Sequence, residues 1–221
     1  MQRDIYQIIK RYIYIHPITS LFLTINLVMV FVVLFTGGFN NLTLLRLGAI
    51  APILIKDGNE YHRLVTAMFL HGSIFHFLMN GLVLFYLGGF VERYLGYMKF
   101  FILYMFSGIV SSLIVTYLGP SNVLTIGASG ALYGVIGALF ILITIKPTWF
   151  PPQASKSIRS LIIINLILTF VVPSISIEGH LGGLIAGSLL IFLLIPKYPF
   201  FILKDPRMRR FMNEDKTDFD A

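Results

Sequence analysis

A serine, two histidines and an asparagine lie within long apolar stretches of the sequence, and their types could support nucleophilic catalysis. These residues are Ser129, His180, His76 and Asn80. A serine hydroxyl is a poor nucleophile until a neighbouring base accepts its proton, and histidine is the side chain best suited to that role near neutral pH. The same apolar stretches contain no aspartate. The residues therefore favour a Ser129–His180 dyad over a Ser–His–Asp triad.

Donors for a developing oxyanion are also present near the serine. Attack on an amide builds negative charge on the carbonyl oxygen, so preorganised hydrogen-bond donors are needed there. The backbone N–H of Ser129, the Asn80 amide and a ring N–H of His76 could supply them. Gly127 and Gly130 flank the serine and have no Cβ, which leaves room for a substrate backbone. These residues would permit acyl transfer at Ser129, although the glycine-rich stretch taken alone is also compatible with simple helix packing.

The composition indicates that these residues belong to a membrane protein. Hydrophobic residues make up 57% of the 221-residue chain and charged residues 12%, so too few polar side chains remain to cover a water-facing surface. An ordinary soluble domain and a disordered chain are excluded. The absence of Cys excludes disulfides, thiol nucleophiles and Cys-based metal sites. The net charge of +7 is interpreted as a topology signal rather than as a sign of nucleic-acid binding.

Six apolar stretches reach or approach the roughly 20 residues that a helix needs to cross a bilayer. Glycine or proline stands between them, where helices tend to end. The sequence therefore predicts an all-α membrane protein with a bundle of six transmembrane helices. The predicted helices cover residues 18–35, 64–91, 100–118, 124–145, 158–172 and 179–195.

The second stretch is too long for a single membrane helix. Residues 64–91 would extend about 40 Å as one helix, which is more than the hydrocarbon core requires. Gly72 is a natural break and Ser73 a good N-cap, so we expect the membrane helix to start near Ile74. The residues before it join a long first outer loop, residues 37–72, and loops of this length are more often functional than idle.

The Lys and Arg residues set the expected orientation. If the N-terminus lies on the cytoplasmic side of the membrane, 14 of the 17 Lys and Arg residues fall on that side. The three exceptions are Arg46, Lys56 and Arg63. The positive-inside rule then predicts a multi-pass protein of the cell membrane with both termini in the cytoplasm. The predicted divisions are a cytoplasmic N-terminal segment, a membrane domain and a basic cytoplasmic tail, at residues 1–17, 18–196 and 197–221.

Depth and helix packing should bring the polar residues together in the outer half of the membrane. Counted along helices, Ser129 and Asn80 lie about 10 Å below the outer surface. His180 should lie about one turn shallower than Ser129, unless the chain before Ser129 is extended. Small residues at intervals of four on two helices would let their backbones approach closely. These residues are Gly130, Gly134 and Ala138 on the fourth helix and Gly179, Gly183 and Gly187 on the sixth.

Two other functions are compatible with parts of this pattern. In a membrane haem protein, His76 and His180 could be axial ligands, but that function leaves the glycine-rich stretch around Ser129 and the Asn80 amide without a role. In a transporter, the polar residues would line a pathway. A transporter predicts further polar residues towards the inner leaflet and similarity between the two halves, neither of which the sequence displays.

On these residues the sequence resembles the rhomboid family of intramembrane serine proteases. The six-span layout and the long first outer loop are also similar, and the resemblance extends over about residues 42–195. The motifs that carry it are residues 71–80, Gly127-Ala128-Ser129-Gly130 with Tyr133, Glu92-Arg93, and Gly179-His180 with the glycines at 182, 183 and 187. The resemblance implies a rhomboid-like fold and the activity of a serine endopeptidase.

The resemblance also implies a role for each site residue. Ser129 would be the nucleophile and His180 the general base. His76 and Asn80 would form the oxyanion site, and Tyr133 would stack against His180. The supporting residues are expected to be Gly127, Tyr133 and His71, although His71 could instead anchor the chain at the membrane interface.

By the same resemblance, the substrate is a membrane-spanning segment of another protein, cut near its outer end. The partners are then transmembrane proteins and the lipid bilayer, not nucleic acid, and the chemistry requires no metal or organic cofactor. His62 precedes Arg63 where the family often has Trp, so the packing of that loop is not predicted. An inactive family member that only binds membrane helices is an alternative, which the intact Ser129 and His180 disfavour.

Overall fold

The computed structural model describes residues 2–172 and 175–203, and in this part of the chain the architecture is helical. The helices, in chain order, are α1 (Gln2–Ile15), α2 (Pro17–Thr36), α3 (Asn41–Arg46), α4 (Pro52–Lys56), α5 (Arg63–Thr66), α6 (Ile74–Val83), α7 (Gly89–Leu95), α8 (Tyr97–Leu118), α9 (Ser129–Ile145), α10 (Pro152–Val171), α11 (Ile177–Leu194) and α12 (Phe200–Leu203). A π-helical turn, Leu84–Gly88, joins α6 to α7. Pro173, the residue that follows the predicted fifth span, and the tail from residue 204 onward lie outside the described residues.

Five helical segments of the described chain are long and apolar enough to cross a membrane. They are Pro17–Thr36, Ile74–Leu95, Tyr97–Leu118, Pro152–Val171 and Ile177–Leu194. The predicted fourth span is present as a shorter apolar helix, Ser129–Ile145. The all-helical, multi-pass character of the predicted protein is therefore confirmed.

The second span starts where the sequence predicts. The Ser73 side chain accepts a hydrogen bond of 3.1 Å from the backbone N–H of His76, and α6 begins at Ile74. This bond satisfies one of the donors that a helix start leaves free. The span ends at Leu95 rather than at the predicted residue 91, because Gly96 has a φ of +87° that an α-helix cannot continue.

The first span, α2, is joined to the second span at the end opposite to Ser73. The Glu92 carboxylate is fully buried and accepts hydrogen bonds from the backbone N–H groups of Ile18, at 2.9 Å, and Thr19, at 2.8 Å. A carboxylate is favourable at a helix N-terminus, because the first N–H groups are free and the helix dipole is positive there. Glu92, which the sequence marked only as part of a motif, therefore fixes the start of α2.

The predicted loop over residues 37–72 contains the short helices α3, α4 and α5, organised around a buried arginine. The Arg63 guanidinium donates to the carbonyls of Leu45, at 2.7 Å, and Ala49, at 2.9 Å, and forms an ion pair with Glu60. His62, which stands where the family often has Trp, is exposed. Arg63 therefore ties the loop together without a packed aromatic neighbour before it.

The core of the bundle is the contact between α9 and α11, where small residues let the backbones touch. A Cβ added at Gly183 would overlap the carbonyl of Gly130, and one added at Gly187 would overlap the carbonyl of Gly134. The prediction that these two series of small residues meet is confirmed. Backbones this close gain dispersion contacts along both helices, which is how small residues stabilise membrane bundles.

Helix α8 completes this core with serines, which the sequence analysis did not identify. A Cβ at Gly134 would overlap Ser107, and one at Gly130 would overlap Ser111. The Ser111 hydroxyl also donates to the carbonyl of Gly179 at 2.7 Å. Three helices are therefore locked at the same level by small residues and one buried hydrogen bond.

We expect Gly183→Ala to lower the free energy of unfolding by about 1–3 kcal/mol, since its methyl group must displace the Gly130 backbone. Gly81→Ala is the matched control, because the nearest atom to its added Cβ is a Leu23 side-chain carbon at 4.0 Å. Thermal unfolding of both variants in detergent measures the difference. Equal stability of the two variants would contradict the close packing of α9 on α11.

Candidate active site

Ser129 is the first residue of α9, which starts five residues later than the predicted residue 124. The chain before it is extended because it pairs with the segment between α3 and α4. Ile50 and Thr125 exchange two backbone hydrogen bonds of 2.9 and 3.1 Å. The N-cap position is Ala128, whose side chain makes no capping hydrogen bond. The backbone N–H groups at the start of α9 are therefore available for another acceptor.

Gly127 places the two predicted oxyanion donors beside the serine. Its φ is +121°, and its N–H donates to the carbonyl of Ala67 at 2.9 Å. A Cβ at this position would lie 2.8–2.9 Å from two atoms of the His76 ring and 3.6 Å from Asn80 Nδ2. Only glycine fits this conformation and this space. His76 and Asn80 thus meet the backbone two residues before Ser129.

His71 is enclosed beside this cluster rather than exposed at the surface. It is buried, and its ring packs edge-on against His76, with the centroids 5.1 Å apart, and against Phe77, at 5.6 Å. Burial and, to a smaller extent, the nearby His76 lower the pKa of His71 to about 3. His71 is therefore neutral at physiological pH, and its ring supports the ring of His76 by direct packing. A simple interfacial anchor would not be enclosed in this way.

His180 lies in the first turn of α11, which is capped at its start. The Ser176 side chain accepts a hydrogen bond of 3.1 Å from the N–H of Gly179. The His180 ring is buried and stacks on the ring of Tyr133, with the centroids 3.8 Å apart and the planes inclined by 21°. Because Tyr133 is one turn after Ser129 on α9, this stack places the His180 ring next to the serine-bearing turn.

The geometry places Ser129 and His180 at the same level of the bundle. A Cβ at Gly130 would lie 3.7 Å from the carbonyl of Gly179, so the residues next to the serine and the histidine are in contact. The expected offset of one turn assumed that the chain before Ser129 is helical. Because that chain is extended, both residues lie in the first turns of their helices.

A threonine in the fifth span also contacts the histidine, and the sequence analysis missed it. Thr169 Oγ1 lies 3.0 Å from Nδ1 of His180 and is hydrogen-bonded to the Tyr133 hydroxyl. The Tyr133 hydroxyl further donates to the carbonyl of Asn165 at 2.6 Å. The only available signal was a threonine four residues after Asn165 in an apolar helix. Among the described residues, no group of three His, Asp or Glu side chains is arranged to hold a metal ion.

Comparison with known proteins identifies one family. Residues 58–197 match the model of the rhomboid domain. The chain is 37% identical over 170 residues to rhomboid protease GluP of Bacillus subtilis (strain 168), an alignment that covers 76% of this chain and 33% of that protein. It is 32% identical over 167 residues to RHOMBOID-like protein 1 of Arabidopsis thaliana, covering 74% of this chain and 43% of that protein.

A third relative has a similar relation to the chain. It is mitochondrial RHOMBOID-like protein 6 of Arabidopsis thaliana, 33% identical over 159 residues, with 72% of this chain and 52% of that protein covered. The chain therefore spans between a third and about half of the length of these relatives. All seven predicted site residues fall within the matched domain.

We expect Gly127→Ala to destabilise the protein more than Gly38→Ala. Both glycines have positive φ, +121° and +83°, so both substitutions bring backbone strain of about 1–3 kcal/mol. Only at Gly127 does the added Cβ also meet the His76 ring, since nothing lies within 4 Å at Gly38. Thermal unfolding in detergent compares the two variants. An equal loss would show that the backbone at Gly127 is not packed against His76.

Proposed function

The chain belongs to the rhomboid family, and from this membership we propose that it is an intramembrane serine endopeptidase. The observation that carries the proposal is that polar side chains pack against the chain both before and after Ser129 in sequence. On one side, His76 and Asn80 lie against Gly127. On the other side, the ring of His180 is held beside the serine-bearing turn by its stack on the next turn of α9.

In the proposed reaction, Ser129 Oγ attacks the scissile carbonyl while Nε2 of His180 accepts its proton. The tetrahedral intermediate then collapses, and the leaving amine takes that proton from His180. Water, deprotonated by His180, attacks the acyl group on Ser129. The bond to Ser129 Oγ then breaks, this oxygen takes the proton back from His180, and the second product is released as a carboxylic acid. Both halves of the reaction require a neutral imidazole with its lone pair on Nε2.

The oxyanion would be stabilised by neutral donors. The backbone N–H of Ser129 begins an uncapped helix, and it is aligned with the positive end of the helix dipole. The amide of Asn80 and a ring N–H of His76 lie on the adjacent side of Gly127. Neutral donors suit this environment, because a buried Lys or Arg would bring a large desolvation cost.

We also propose the finer topology. Ser129–Ile145 crosses the membrane as the fourth of six spans, and residues 37–72 form an outer loop between the first two spans. The Lys and Arg distribution supports cytoplasmic segments at residues 1–17 and 197–221, flanking a membrane domain over residues 18–196. Because α6, α9 and α11 all begin at the site, their first turns would face the outer side of the cell membrane.

The proposed substrates are transmembrane segments of other proteins, cut near their outer ends within the bilayer. An intact helix hides each peptide bond within its own hydrogen bonds, so the segment must unwind before Ser129 can reach a carbonyl. Substrates with small or helix-breaking residues near the cut should therefore be preferred. Ser129 is half-buried, so water can reach it from the outer side.

Labelling with a fluorophosphonate probe in detergent tests the dyad. We expect the native protein to form a covalent adduct, and Ser129→Ala and His180→Ala to form none, because the first lacks the nucleophile and the second its base. Ser160→Ala, an exposed serine on α10, is the matched control and should label like the native protein. Cleavage of a reconstituted transmembrane substrate should follow the same order.

Two results would contradict the dyad. Labelling of Ser129→Ala at the native level would place the nucleophile elsewhere, and a folded native protein that neither labels nor cleaves would support an inactive member that only binds helices. A stoichiometric Soret absorption band in the purified protein would instead support axial haem ligation by His76 and His180.

We expect Asn80→Ala to slow cleavage roughly 10-fold to 1000-fold, because one oxyanion donor is lost. Met79→Ala, an exposed neighbour on the same helix, should cleave at the native rate. Initial rates on a reconstituted transmembrane substrate measure both variants. Native turnover in a folded Asn80→Ala protein would remove Asn80 from the proposed site.

A further inference from the structure

The hydroxyl of Thr169 is surrounded by three polar groups from three helices. On its own helix, α10, the Asn165 carbonyl lies at 3.0 Å. From α11, Nδ1 of His180 lies at 3.0 Å, and from α9 the Tyr133 hydroxyl is in hydrogen-bond contact. Thr169 is 1% exposed, so these contacts must satisfy it without help from bulk water.

Counting hydrogens assigns the donor in the contact with His180. A threonine hydroxyl has one hydrogen to donate and can accept two hydrogen bonds. The Asn165 carbonyl can only accept, and the hydroxyls of both Thr169 and Tyr133 contact it. The two hydroxyl hydrogens are taken up by this carbonyl and by the contact between the two hydroxyls. A hydrogen is therefore present between Thr169 and Nδ1 only if His180 donates it. The Nδ1 atom of His180 therefore carries a hydrogen, and its Nε2 atom carries the lone pair.

From this arrangement we infer that Thr169 is a positioning residue, which fixes the tautomer and the ring orientation of His180. The inference rests on the proposed function for its consequence, because a general base must present an unprotonated Nε2 to Ser129. In a Ser–His–Asp triad, a buried carboxylate holds the same ring nitrogen. Here a neutral hydroxyl does so, and its own orientation is fixed by a backbone carbonyl.

Tyr133 has two functions in this network. Its ring covers one face of His180, and its hydroxyl contacts Thr169 and the Asn165 carbonyl. The ring can keep the imidazole plane in place without its hydroxyl, whereas Nδ1 of His180 has its described hydrogen bond with Thr169. Removal of the Tyr133 hydroxyl should therefore affect the tautomer less than removal of the Thr169 hydroxyl.

Two Thr169 variants separate the hydroxyl from the shape of the side chain. Thr169→Val keeps the branched shape and loses the hydroxyl, and Thr169→Ser keeps the hydroxyl and loses the methyl group. We expect Thr169→Val to lower kcat roughly 10-fold to 100-fold with KM unchanged, which is the size of effect known for groups that orient metal-bound histidines. Thr169→Ser should restore most of kcat, and Tyr133→Phe should lie between the two.

Nitrogen-15 spectra of histidine-labelled protein in detergent give a readout that needs no activity. The chain contains five histidines, and the His180 signals are those that disappear in His180→Ala. We expect a protonated Nδ1 and an unprotonated Nε2 in the native protein and in Thr169→Ser. In Thr169→Val the two tautomers should become mixed.

The outcomes separate this inference from the proposed function. If the native protein does not cleave or label but Thr169→Val mixes the His180 tautomers, the proteolytic function fails and the positioning role stands. If Thr169→Val is folded and keeps both the native kcat and the native spectrum, the positioning role is overturned while the protease stands. A Thr169→Ser protein as impaired as Thr169→Val would also overturn it, since packing rather than the hydroxyl would then explain the loss.

Discussion

The direct contact between the backbones of α9 and α11 is the constraint on which the site depends. Gly183 packs directly against the carbonyl of Gly130, and Gly187 packs against the carbonyl of Gly134. Neither helix can therefore slide or rotate without a steric clash. Ser129 and His180 lie at the beginnings of these two helices. Their relative position is therefore set by main-chain atoms, which are less mobile than side chains on a loop.

Features encoded by local chemistry were predictable from the sequence. The start of α6 follows from the capping hydroxyl of Ser73, and the meeting of α9 and α11 follows from small residues at intervals of four. Membrane burial also limits where polar groups can lie, because each must find a partner or a role. For this reason, a short inventory of polar residues already contained Ser129, His76, Asn80 and His180.

Features that depend on pairing between distant segments were not predictable. The start of α9 at Ser129 depends on two hydrogen bonds between Ile50 and Thr125. The apolar sequence before Ser129 is compatible with both a helical and an extended conformation, so it does not indicate where the helix begins. Thr169 meets His180 only because α10 packs against α9 and α11. A threonine in an apolar helix usually bonds its own backbone, so its spacing gave no sign of this second contact.

The pairing of Ile50 with Thr125 also affects which sequence changes the segment between α2 and α6 can accommodate. Lengthening the chain beside Ile50 would shift the register of this pair and displace the backbone that leads to Ser129. Residues 57–59 are exposed, and insertions are best accommodated at exposed positions of this kind. Divergence in loop length among relatives should therefore concentrate there, leaving the segment around Ile50 constant in length.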